Sequence, residues 1–208
     1  MSAALTPDQA ASQVDQALDR LQTRTPALAQ VVSAFRGLLR VQAEIKAGLP
    51  ALDRPLPAPG DAGRGPGRPL AGVADFLAVE DLDLPQHLSQ ALGRILPELE
   101  RGFPALAPVA EAIRSALTAG TLALAATLDA LLGGDRARLE ALAAQAGVDA
   151  PGLEFALLQA AKPFLERRAQ ALAGRLAKGE HGGNCPLCGS LPELSYIQGT
   201  AGQRWLRC

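Results

Sequence analysis

Aromatic residues make up only 3% of this 208-residue chain, with one tryptophan and one tyrosine. β-Branched residues are sparse too, and alanine and leucine dominate. That shortage excludes extensive β-sheet and favours helix. An excess of either charge is also missing. The formal net charge of −1 argues against a protein whose main task is to grip nucleic acid or an anionic membrane, since both need clustered positive charge. The opening "MSAALTPDQAASQVDQ" has neither a basic start nor an apolar run, so no secretory signal is expected. The least polar stretch, Ser115 to Gly134, holds a charge-free run of about 14 residues before Asp129 interrupts it. A membrane span needs roughly 18–20. The stretch reads as a buried central helix, and an integral membrane protein is not expected.

Cysteine is confined to Cys185, Cys188 and Cys208, all within the last 24 residues. An odd number clustered at one end argues against a disulfide framework and for a reducing, cytoplasmic home. Metal or redox chemistry is the open question.

Residues Asp8 to Gly48 read as helical. Thr25-Pro26 suggests a capping hydroxyl followed by proline at the first helical position. Leu28, Val31, Val32, Phe35, Leu38 and Leu39 follow a three-and-four spacing that predicts one apolar face, with Gly48 and Pro50 ending the helix. Residues 50–69 are too rich in proline and glycine for a regular element and read as a surface loop or linker. A short helix follows, then a longer one from about Pro85 with Asp83 as its cap. Helices ending near Gly120 and at Gly133-Gly134 come next, and a third is capped by Asp135. Short connections favour an antiparallel bundle. The last long helix is expected from about Ala150 to Lys178, capped by Asp149 and kinked at Pro163. Its buried stripe is Leu153, Leu157, Leu158, Ala161, Phe164, Leu165, Leu172 and Leu176. No internal repeat of fixed period is visible.

Nineteen residues separate Cys188 from Cys208, within the spacing of zinc-ribbon sites. A C-x-x-C pair on a tight turn brings two thiolates to one ion, and Pro186 and Gly189 suit that turn. "LSYIQ" and "RWLRC", with Gly199 and Gly202 between them, read as a β-hairpin that returns Cys208 towards the pair. A thioredoxin-like redox pair would need a βαβ unit, and none precedes it. The candidate metal ligands are therefore Cys185, Cys188 and Cys208, and an all-sulfur site accepts iron or zinc. His181 could add a ligand but reads more simply as solvated, and His87 as helix surface or satisfied interior. Glu98 and Glu100 fall on different helix faces and make no acid/base pair. No other reaction-bearing pattern emerges: there is no G-x-x-x-x-G-K-[ST], G-x-S-x-G or H-E-x-x-H.

"CPLCGSLPELSYI…GQRWLRC", preceded by a long helix containing "AKPFLERRAQALAGRLA", resembles the formate dehydrogenase accessory proteins of the FdhE type. Cys185, Pro186, Cys188, Gly189, Ser190 and Pro192 match the family's opening, and Arg204, Leu206 and Cys208 match its return strand. A weaker likeness covers much of the helical part. The resemblance implies a mainly α protein: a helical bundle over 1–180, with the loop 50–69, then an incomplete rubredoxin-like metal-binding hairpin knuckle over 181–208. It implies a cytoplasmic, chaperone-like maturation factor, not an enzyme, that binds the catalytic subunit of formate dehydrogenase before export. Its metal would be iron, with zinc as the alternative. Family members continue past Cys208 with a further ligand, so the segment reads as half a module, and thiols shared across chains would make a homodimer. A rubredoxin-type electron carrier is the alternative class, although a small iron site rarely needs so large a helical body. A nucleic-acid-binding zinc ribbon is a third, disfavoured by charge.

Overall fold

Two prolines turn the chain in the same way. In the structure, a computed structural model, helix α1 (Pro7–Arg24) meets helix α2 (Ala29–Gly48) through a 3-10 turn at Pro26–Leu28. Helix α3 (Leu84–Gly102) likewise meets α4 (Ala107–Ala119) through a 3-10 turn at Pro104–Leu106. The residue before a proline is pushed out of the α region. Thr25 accordingly adopts φ −139°, ψ 75° and Phe103 φ −136°, ψ 78°. Each helix stops there, and the proline's fixed φ starts the next turn. The hydrogen bonds correspond as well: Thr25 N–H to Leu21 O at 2.8 Å and Phe103 N–H to Leu99 O at 2.8 Å. Behind this likeness lies a shared pattern, L-x4-P-A-L-A-x-V-x2-A-x-R-x2-L, running from Leu21 to Leu39 and again from Leu99 to Leu117. Two copies form no periodic array, so a search for a fixed period passes over them.

The structure describes residues 5–50, 84–173, 194–198 and 203–207. The expected loop 50–69 beyond Pro50, the Asp83 cap, the helix beyond Ala173, the Gly199–Gly202 turn, His181 and all three cysteines lie outside them. The described residues are mainly helical. After α4 come α5 (Leu124–Gly133), α6 (Arg136–Ala146) and α7 (Ala150–Ala173), then strands β1 (Leu194–Gln198) and β2 (Gln203–Arg207). The helices up to Glu166 form one compact unit and the strands belong to a second. β1 and β2 pair antiparallel, with Leu194 opposite Arg207 and Tyr196 opposite Trp205.

Local chemistry sets the helix ends. Thr6 and Gln9 form a reciprocal capping box at the start of α1, satisfying donors that no intrahelical carbonyl reaches. Asp135 accepts from Arg138 N at 3.0 Å and Asp149 from Gly152 N at 2.8 Å, as the sequence predicts. Gly120 and Gly134 end α4 and α5 in the left-handed region at φ 68° and 71°, where a side chain would be strained. Thr25 departs from expectation. Its hydroxyl makes no capping bond, because the proline corner leads into α2 through the 3-10 turn instead.

The core centres on α3, where Leu88, Ala91, Leu92, Ile95, Leu96 and Leu99 are each at most 2% exposed. Their three-and-one spacing is repeated by Leu153, Ala156, Leu157, Ala160, Ala161 and Phe164 on α7. Burying one such leucine or isoleucine is worth about 1.5–3 kcal/mol. Leu158 is exposed, against expectation: alanines at 156 and 160 take the inner positions because small side chains let helices approach closely. Leu28 and Val31 are exposed too, so α2 buries only part of its predicted face. The Ser115–Gly134 run is not one buried central helix. It breaks at Gly120 into α4 and α5, which expose Ser115, Thr118 and Ala125. No helix among the described residues is long and apolar enough to cross a membrane.

Pro163 sits inside α7 and is almost fully buried. Lacking an N–H, it cannot serve the carbonyl of Gln159 one turn back. The buried Gln42 of α2 does so instead: its Nε2 donates to Gln159 O at 3.0 Å and to Gln159 Oε1 at 3.1 Å. Gln42 Oε1 is left buried without a partner. Removing one partner of such a bond costs about 1–3 kcal/mol. Gln42→Leu should lower stability in urea unfolding by about that much. The loss should shrink when Pro163→Ala restores the helical donor; strictly additive effects would show that the amide does not serve this carbonyl.

Candidate functional site

Among the described residues, most charged side chains serve structural ion pairs. Arg36 donates to Asp15 at 2.9 Å and Asp19 at 2.7 Å, tying α2 to α1. Arg40 approaches Asp15 at 3.4 Å. At the matching position of the second corner, Arg114 donates to Glu100 at 2.6 Å and Glu111 at 2.7 Å. Both guanidiniums are held above their ordinary pKa, Arg36 chiefly by its bond to Asp19 and Arg114 chiefly by its bond to Glu100. They stay charged and act as clasps. Glu98 pairs with Arg101 while Glu100 turns to Arg114, so the two carboxylates serve different partners. Arg94 pairs with Glu44, and Lys46 with Glu166 at 2.9 Å. These two contacts bind α2 to α3 and to α7. His87 is half-buried near the start of α3.

Among the described residues no three His, Cys, Asp or Glu side chains gather as metal ligands, and Cys185, Cys188 and Cys208 are not among those residues. What is described is the hairpin that separates them in the chain. In sequence Cys188 precedes β1 and Cys208 directly follows β2, and the outer ends of those strands, Leu194 and Arg207, are paired. The pairing thus closes the chain between the second and third cysteines. Clasping arginines were not foreseen from sequence. Their only signal there is the repeated A-x-R, whose carboxylate partners lie between three and 21 residues away.

No family model matches the chain, and neither a curated protein nor a solved structure does.

The clasps are partly exposed, where such pairs contribute about 0.2–1 kcal/mol. Arg36 makes two such pairs, so Arg36→Met should cost at most about 2 kcal/mol in urea unfolding at low salt, and less at high salt because exposed pairs are screened. A salt-independent loss would show that packing of the side-chain stem, and not charge, holds α1 to α2.

Proposed function

We propose that this chain is a cytoplasmic, chaperone-like accessory factor that binds the catalytic subunit of formate dehydrogenase and assists its assembly. It is not an enzyme in this reading. The observation that carries it is the C-terminal stretch "CPLCGSLPELSYI…GQRWLRC", a specific likeness to the FdhE-type accessory proteins that follows a mainly helical body. The body supports the reading as a recognition platform, since it is built of helix faces and structural ion pairs.

The rubredoxin-like knuckle belongs to the same proposal. Cys185, Cys188 and Cys208 would hold iron, or zinc, and their donor chemistry fits: three thiolates suit a soft ion that prefers tetrahedral sulfur. The antiparallel pairing of β1 and β2 suits a return strand that delivers a distant cysteine to a C-x-x-C pair. Bound metal would stabilise the segment, because ligand organisation and folding are coupled in small sulfur sites.

In a native host, a tagged chain should co-purify with the formate dehydrogenase catalytic subunit. Its absence from the purified material would sink the accessory reading. Separately, Cys185→Ala and Cys188→Ala should each lose bound iron or zinc by elemental analysis, while thermal unfolding of the helical body stays unchanged. Metal content equal to that of the unsubstituted protein would refute the knuckle.

A further inference from the structure

The two proline corners share a sequence pattern and a backbone, yet among the described residues only the second is covered. At the second corner Leu99 is 2% exposed and Leu106 and Val109 are half-buried. Their cover is the first turns of α7: Gly152, Phe155 and Ala156 converge with these three residues on one small apolar void. The fit there needs a glycine. A Cβ on Gly152 would lie 2.6 Å from Val109 Cγ1 and 2.9 Å from its Cγ2. At the first corner the matching residues are Leu21, Leu28 and Val31, and they are 41%, 38% and 53% exposed. They are three of the five large apolar side chains exposed among the described residues.

From this pairing we infer that the α1–α2 corner is a docking site for an amphipathic helix of a partner protein, seated as α7 seats on the α3–α4 corner. The partner helix carries a glycine where it crosses Val31, because a Cβ does not allow the approach seen at Val109. Flanking apolar residues meet Leu21 and Leu28, as in other helix-on-groove recognition. Charge narrows the class further. Arg20 and Arg24 flank Leu21 in sequence, are exposed, and make no ion pair among the described residues. Their counterparts at the covered corner are Glu98 and Gly102. The open corner therefore favours a helix with acidic residues flanking its apolar face. The inference stands on the repeated corner alone. It does not depend on the cysteine segment or on the identity of the client, so loss of either reading leaves the other intact.

A fluorescently labelled peptide of this chain's own Asp149–Glu166 is a direct probe, since it is the helix that fits this kind of corner and carries Asp149 and Glu154. Titrated with the full chain, it should bind saturably by anisotropy. Val31→Glu or Leu28→Glu in the full chain should weaken binding roughly tenfold or more. Both positions are exposed, so unchanged thermal unfolding is expected to show an intact fold. A Gly152→Leu peptide should bind as poorly, and Arg20→Glu with Arg24→Glu should weaken binding at low salt more than at high salt. No saturable binding overturns the proposal. Binding indifferent to Val31→Glu also overturns it, because the peptide would then be displacing α7 at the other corner. Concentration-dependent dimers of the free chain that Val31→Glu abolishes would overturn it too, by showing a second copy as the occupant.

Discussion

One missing hydrogen atom organises much of the helical body. Pro163 removes the donor that would close a turn in the middle of α7, and a buried helix cannot leave the resulting carbonyl of Gln159 without a partner. Gln42 reaches across from α2 to supply it. Polar side chains seldom sit this deep, and here the amide is kept in place by an obligation of the neighbouring backbone. The bond fixes the height of α7 against α2, and Lys46 with Glu166 repeats the connection nearer the surface. With α7 held there, Gly152 and Phe155 fall onto the second proline corner and close the core around α3. Pro97, the other proline inside a helix, needs no such rescue: it is exposed, where water can serve the freed carbonyl.

The repeated corner gives the body its internal logic. The same tripeptide, Pro-Ala-Leu, stops one helix and starts the next in both halves, and the same arginine eight residues after the leucine clasps two carboxylates. The halves differ in what lies over them. α3 buries a continuous stripe from Leu88 to Leu99, whereas α1 buries only Ala11 and Leu18, so Ile95 is inaccessible and its counterpart Ala17 is exposed. At the first corner Leu21, Leu28 and Val31 stay exposed.

Much of the fold was legible in the sequence because its signals are local. Asp135, Asp149, Gly120 and Gly134 act within one turn of themselves, so their roles follow from residue type and position. The three-and-four spacing of α7 is equally clear, yet it points Leu158 inward and passes over Ala156 and Ala160. Hydrophobicity ranks a leucine above an alanine, whereas a close helix crossing prefers the smaller side chain. Thr25 misled for a related reason: its type suits a cap, and the proline after it commits the backbone to a different turn. For the candidate site, the C-x-x-C, the third cysteine and the β-favouring residues between them carry their meaning in spacing alone.

By itself the sequence determined the helical class and the positions of most helix ends. Each depends on steric or bonding rules that operate over a few residues. Only the tertiary structure decided that Gln42 serves the Gln159 carbonyl, freed by Pro163, across 117 positions, and that Arg36 and Arg114 are clasps. It also decided that two nearly identical corners differ in cover. Those outcomes depend on which surfaces meet, and surfaces distant in sequence meet only when the whole chain has found its packing.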